Sequence, residues 1–135
     1  MRVFLDANIL FSAAKSGGAV SRLLDLLIGA GHECCVNEFV IVEARRNLAA
    51  KQPARAAALD RLVPRLRFVG IHADPALEAT LPLPEKDRPV LAAAIRSRCE
   101  ALVTGDRTYF GRLYGRTVRG VTIHSPRSLA ESLLP

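Results

Sequence analysis

Four carboxylates in this 135-residue chain stand where a carboxylate is out of keeping with its neighbours. Asp6 closes the apolar run Val3-Phe4-Leu5. Glu43 shares a helical face with Phe39 and Val40. Asp87 lies in line with the apolar stripe Val90, Leu91, Ala94 and Ile95. Asp106 follows Ala101-Leu102-Val103 after the short exit Thr104-Gly105. Burying a bare carboxylate is costly, and two side by side push one another to take up a proton. A divalent cation removes that conflict. All-oxygen ligation by Asp and Glu selects hard ions, Mg²⁺ or Mn²⁺. Cys34, Cys35 and Cys99 make no metal pattern, and His32, His72 and His124 are scattered singly, so no zinc site competes. The cysteines read as buried reduced thiols and the histidines as structural or surface residues.

Acids, such an ion and basic surroundings together suit phosphodiester hydrolysis. The metal activates water and stabilises the leaving oxygen. Basic side chains hold the flanking phosphates without reading sequence. Arg45 and Arg46, beside Glu43, and Arg107, beside Asp106, are the candidates. The chain carries 19 Lys and Arg against 13 Asp and Glu. This surplus suits a polyanionic partner, although a solvated basic face is as common a reason for it. Plainer roles stand beside the chemical ones. Glu43 fits an edge position or an ion pair with Arg45 or Arg46. Asp87 fits a helix cap, which does not exclude a second role.

The elements place these residues. Arg2 to Leu5 reads as a strand buried on both faces. In open parallel α/β sheets ligands sit beyond the carboxyl ends of the strands, where Asp6 stands. Asn8 to Gly18 reads as a loop. A helix follows from about Ala19 to Ala30, with Val20, Leu23, Leu24, Leu27 and Ile28 on one face. Glu33 to Val36 reads as a second strand. Asn37 is the expected N-cap of a helix from Glu38 to Lys51. Pro53 stops that helix, and a short one follows over Ala54 to Val63. Leu66 to Val69 reads as a third strand. A Pro-rich connection, His72 to Lys86, holds a turn of helix at Pro75 to Ala79. Asp87 opens the next helix, with Pro89 tolerated in its first turn. Ala101 to Val103 is the fourth strand, and Gly105 fits a sharp exit turn. Gly120 to Ile123 is the last strand, and Ser125-Pro126 caps a final helix. The alternation predicts an α/β protein with a parallel sheet covered on both faces. Neighbouring parallel strands lie about 4.8 Å apart, so adjacency of the first and fourth would bring Asp6 and Asp106 together.

The length suits a single domain over residues 1–135 with one real core. No apolar run approaches the roughly 18 residues of a membrane span, and the N-terminus lacks the pattern of a secretion signal. A cytoplasmic protein is expected.

At the same motifs the chain resembles the PIN-domain family, the nuclease fold of VapC-type toxins. The resemblance lies in Leu5-Asp6-Ala7-Asn8, in Val42-Glu43-Ala44-Arg45-Arg46, in Lys86-Asp87-Arg88-Pro89 and in Thr104-Gly105-Asp106-Arg107. The ending Val121-Thr122-Ile123-His124-Ser125-Pro126 is similar as well. It implies a three-layer α/β/α fold with a five-stranded parallel sheet, order 3-2-1-4-5, and the acids meeting at its C-terminal edge. It implies a metal-dependent endoribonuclease in which Asp6, Glu43, Asp87 and Asp106 form the acidic quartet around Mg²⁺ or Mn²⁺. Asn8 and Thr104 match its supporting polar positions. It also implies a toxin held inactive by a cognate antitoxin, and a homodimer. One departure stands out. The family usually has Thr or Ser after the first Asp, and here Ala7 takes that place.

Three readings follow. The first is the metal-dependent ribonuclease, with Asp6 and Asp106 as direct ligands, Asp87 close by and Glu43 reaching the ion through water. The second is a catalytically weak PIN-like module that binds RNA or protein, supported by Ala7. The third is a phosphatase of the haloacid dehalogenase type. That family needs a second Asp two residues after the first, where this chain has Asn8. RNA cleavage, RNA binding without cleavage, and turnover of small phosphate esters separate the three.

Overall fold

A computed structural model describes residues 1–71 and 73–133, so His72 lies outside the described residues. Its frame is a six-stranded sheet built from β1 (Arg2–Leu5), β2 (Glu33–Val36), β3 (Arg67–Phe68), β4 (Ala101–Val103), β5 (Thr117–Val118) and β6 (Val121–His124). The strand order is β3-β2-β1-β4-β6-β5. The first five in that order run parallel, as expected from the order 3-2-1-4-5. The expectation of five strands needs correction, because β5 adds a sixth, antiparallel to β6 at the edge. Arg119 and Gly120 link the two as a two-residue turn. Both have positive φ, 49° and 86°, as a hairpin turn that matches strand twist requires. Gly120, expected to open the last strand, is therefore the turn.

β1 is central because its residues suit no other place. Val3, Phe4 and Leu5 alternate between the two faces, yet all are fully buried, so both faces of the sheet are covered. Phe4 sits in register with Cys35 of β2 and Leu102 of β4, and those side chains are fully buried too. Burial of each large apolar side chain stabilises the fold by about 1.5–3 kcal/mol.

The helices are α1 (Ala7–Ala13), α2 (Ala19–Gly29), α3 (Glu38–Lys51), α4 (Ala56–Leu62), α5 (Pro75–Glu78), α6 (Arg88–Arg96), α7 (Arg107–Phe110) and α8 (Pro126–Leu133). Helix α1 corrects the loop expected after Asp6. Ile9, Leu10, Ala13 and Ala14 are buried at helical spacing, and the chain turns only at Ser16-Gly17-Gly18. α1 packs against α2 and α3. Strand β3 is shorter than expected. Both its residues are exposed, as befits an edge strand. The short helix expected from Ala54 is α4 flanked by 3₁₀ turns at Pro53–Arg55 and Val63–Arg65. Cys34, Cys35 and Cys99 are buried free thiols, as expected. Among the described residues no helix is long and apolar enough to cross a membrane.

Candidate active site

The site begins where β1 ends. Asp6 extends the sheet ladder by one bond, its N–H donating to the Val103 carbonyl at 3.1 Å. Its side chain then turns back to start α1, with Oδ1 accepting from the Ala7 N–H at 2.7 Å. The other oxygen, Oδ2, accepts from Thr104 Oγ1 at 2.8 Å and from Asn8 Nδ2 at 3.4 Å.

Thr104, the first residue after β4, is fully buried. Its hydroxyl donates to Asp6 and accepts from the Asp106 N–H at 3.1 Å and Asn8 Nδ2 at 3.2 Å. Asn8 in turn accepts from the Gly105 N–H at 2.8 Å. One network therefore ties the ends of the two central strands together. Gly105 is not a left-handed residue. A Cβ there would lie 3.5 Å from Asn8 Oδ1, an ordinary contact. The sharp turn expected of Gly105 thus needs no glycine.

Asp106 caps α7, its Oδ1 accepting from the N–H groups of Thr108 and Tyr109 at 3.1 and 3.2 Å. Asp87 occupies the N-cap position of α6 but makes no cap bond with its side chain, and its own backbone is helical. The cap reading is therefore incomplete. Asp87 Oδ2 is buried without any hydrogen-bond partner. Glu43 lies in the second turn of α3, whose start is fixed by Asn37 Oδ1 accepting from the Val40 N–H at 3.1 Å.

Asp6, Glu43, Asp87 and Asp106 all line one cavity of about 300 Å³. Four separate elements deliver them to the C-terminal edge of the sheet. Burial raises Asp6 from the ordinary aspartate value of 3.8 to about 6; the bonds from Thr104 and Ala7 oppose that rise, and Glu43 and Asp87 add to it. Burial also raises Asp87, with Lys86 opposing and Asp106 adding. Crowded acids of this kind hold excess negative charge that protons or a cation must balance. The acid donors that line the cavity are all oxygen, which fits a hard divalent ion, and one oxygen of Asp87 has no hydrogen-bond partner. Among the described residues, however, no three such side chains converge on one point as they stand.

The basic candidates separate. Arg45 is held by Asp60 of α4. Arg46 shares a neighbouring cavity with Glu43 and Phe39. Arg107 opens α7 and lines a different cavity, beside Tyr114 and Arg127. Ala7 is buried and lines the acid cavity with no hydroxyl to offer. Asn8 and Val90 line the cavity too, as do Phe39, Asn47 and Lys86. Asn47 had a readable signal, since it follows Glu43 by four residues on the same helix face. Lys86 stands next to Asp87, and its Nζ lies 4.2 Å from the centre of the Tyr109 ring. Of the histidines, His32 Nδ1 lies 3.2 Å from the N-terminal amine. His124 Nδ1 lies 3.0 Å from Ser128 Oγ. Neither lines the acid cavity.

A mostly parallel α/β sheet with four carboxylates in one cavity at its C-terminal edge defines the class of domain. A profile described as the PIN domain matches residues 2–108, a span that contains all four acids. The chain belongs to the PIN-domain family. Its fold is similar to that in the crystal structure of VapBC2 from Rickettsia felis bound to a DNA fragment from its promoter. The TM-score is 0.67 and the identity 18%, over 93% of this chain and 98% of that one. It is similar to DNA-bound VapBC from Salmonella typhimurium, with a TM-score of 0.66 and 16% identity over 93% and 98% of the two chains. It is also similar to VapC20 of Mycobacterium tuberculosis, described as a Sarcin-Ricin loop cleaving toxin. There the TM-score is 0.55 and the identity 16%, over 78% and 91%. A comparison with curated proteins finds no match.

Proposed function

We propose that this chain is a metal-dependent endoribonuclease and the toxin of a toxin–antitoxin pair. One observation carries the reading: Asp6, Glu43, Asp87 and Asp106 reach one cavity from four elements. Asp6 and Asp106 would hold Mg²⁺ or Mn²⁺ directly, with Asp87 beside them and Glu43 acting through water. Bound there, the ion would supply an activated water and charge stabilisation for the leaving oxygen.

The chain's own residues do the rest. Thr104 and Asn8 hold the Asp6 carboxylate in one orientation through Oδ2. The Ala7 N–H fixes its other oxygen. Asp106 is anchored through the α7 N-terminus. Arg46 stands on the Glu43 side of the site and holds a flanking phosphate, a contact that adds affinity without sequence choice. Asn8 bonds to Asp6 and Gly105, and an amide there cannot serve as the acid/base that a phosphatase of the alternative type requires.

The VapBC structures among the fold neighbours are described as complexes on DNA, and VapC20 is described as cleaving the Sarcin-Ricin loop. By analogy with those descriptions, a cognate antitoxin and RNA as substrate belong to this proposal, and a homodimer and a cytoplasmic setting are proposed with them. The whole chain acts as a single PIN-like domain.

Cleavage of single-stranded RNA by the purified protein tests it, with Mg²⁺, with Mn²⁺ and with chelator, beside Asp6→Asn. Cutting that needs the metal and disappears in the variant is the expected result. RNA bound but uncut under every condition would instead favour the catalytically weak binding module, for which Ala7 in the cavity wall is the supporting observation.

A further inference from the structure

A second cavity, of about 550 Å³, has Tyr109 in its lining, and Tyr109 is in contact with Lys86 of the acid cavity. Pro82, Pro84, Tyr109, Arg112 and Arg116 are among the residues that line the second cavity. The same two chain segments contribute to both cavities, with different residues. The segment from Pro82 to Asp87 contributes Pro82 and Pro84 to one and Lys86 and Asp87 to the other. The α7 segment contributes Tyr109 to one and Asp106 to the other. Lys86 over Tyr109 is the partition between them.

This second cavity is built rather than accidental. Leu81 and Leu83 are buried while Pro82 and Pro84 between and after them are exposed. Arg88 Nε pins the segment by donating to the Leu83 carbonyl at 2.8 Å. On the opposite wall Phe110 and Leu113 anchor the chain, and Tyr109, Arg112 and Arg116 are exposed. Among the described residues no ion pair occupies Arg112, Arg116 or Lys86.

We propose that this cleft is a nucleotide subsite that takes an unpaired base against Tyr109 and the two prolines, with a neighbouring phosphate on Arg112 and Arg116. The chemistry is that of single-stranded binding: a flat aromatic surface for a base and cations spaced along the backbone. A base inside a duplex cannot reach such a ring. The volume lies in the roughly 300–1,000 Å³ range of small-molecule sites. Because Tyr109 touches Lys86, which lines the acid cavity beside Asp87, the nucleotide held there would be near in the strand to the phosphate that is cut. The subsite rests on the nuclease reading, and it adds to that reading a contact for one base and its phosphate outside the acid cavity.

Binding of fluorescent RNA to Asp6→Asn protein in Mg²⁺ tests the subsite apart from cleavage. The probes are a single-stranded oligomer, the same oligomer paired to its complement, and one with abasic sugars. Adding Tyr109→Ala should weaken single-stranded binding by about 5- to 150-fold, while Tyr109→Phe should keep it. The abasic oligomer should bind weakly and be indifferent to Tyr109→Ala. The duplex should bind less tightly than the single strand. Arg112→Gln with Arg116→Gln should flatten the salt dependence by about 0.7 in slope for each phosphate no longer neutralised. RNA affinity unchanged by all these variants, with Asp6-dependent cutting intact in the parent protein, overturns the subsite alone and leaves the cleft to a protein partner. RNA neither bound nor cut by the parent protein overturns the nuclease reading and the subsite with it.

Discussion

Thr104 Oγ1 donates to Asp6 Oδ2 across 2.8 Å, joining residues 98 apart in the chain. That hydroxyl also accepts from the Asp106 N–H, so one buried atom orients two of the four acids. Thr104→Val keeps the shape and removes the hydroxyl. The Asp106 N–H loses its acceptor and Asp6 Oδ2 loses the nearer of its two donors. Removing a partner from buried polar groups costs about 1–3 kcal/mol. Loss of an outer hydrogen bond to a ligating carboxylate costs roughly 10–100-fold in metal affinity or activity. Thr104→Val should therefore lower both melting temperature and metal affinity, measured by thermal denaturation and titration with Mn²⁺. Thr104→Ser should recover most of both. Equal metal affinity in wild type and Thr104→Val would contradict this role.

Asp6 links the site to stability through pH. Its carboxyl titrates near 6 in the folded protein against an ordinary 3.8, burial being the main cause. The folded state therefore binds the proton more tightly than the unfolded state. Asp6 favours folding fully below about pH 4, and that contribution is lost as pH rises through about 6. The difference corresponds to roughly 3 kcal/mol for a group so little exposed. His124, which burial lowers, acts in the opposite sense, losing stability as pH falls. The useful comparison is therefore wild type against Asp6→Asn, both in chelator. The variant should gain on the wild type as pH rises from 4 to 7. Mg²⁺ or Mn²⁺ should close the gap by stabilising the wild type only. A constant difference between the two proteins over that pH range would count against a strained Asp6.

Asp87 separates a structural role from a chemical one. An Asp that caps a helix contributes about 1 kcal/mol through a bond to the first-turn N–H groups. Asp87 makes no such bond, and its Oδ2 is buried without a partner. Asp87→Asn should therefore change unfolding free energy by less than about 1 kcal/mol. RNA cleavage should fall at least tenfold. Chemical denaturation beside a cleavage assay reads both. A large loss of stability with cleavage intact would restore the cap reading.

The outline of this site was legible because its signals are local. Asp6 and Asp106 each follow an apolar run that ends abruptly, which marks a strand reaching the edge of a buried sheet. Asn37 and the helix Glu38–Lys51 were legible from cap chemistry and periodicity. Helix α1 was obscured because Ser16-Gly17-Gly18 invited a loop, although Ile9, Leu10, Ala13 and Ala14 carry helical spacing. Strand β5 has only two residues, too few for any periodicity to show. The neighbours of the acids depend on packing between distant segments. Lys86 meets Tyr109 only after α6 and β4 have brought Asp87 and Asp106 to one edge, so no local pattern could pair them.

The two adjacent arginines make the last case. Arg45 and Arg46 are indistinguishable in sequence, but successive helical residues point about 100° apart. Arg45 is turned to α4 and paired with Asp60. Arg46 shares a cavity with Glu43 and carries no ion pair among the described residues. Arg46→Gln should weaken RNA binding and lower its salt slope by about 0.7, the value for neutralising one single-strand phosphate. Arg45→Gln should leave RNA binding alone and cost at most about 1 kcal/mol of stability, as for an exposed pair. Anisotropy titrations of the two variants at several salt concentrations decide it. If Arg45→Gln loses RNA affinity and Arg46→Gln does not, the backbone of the substrate runs on the α4 side of the site instead.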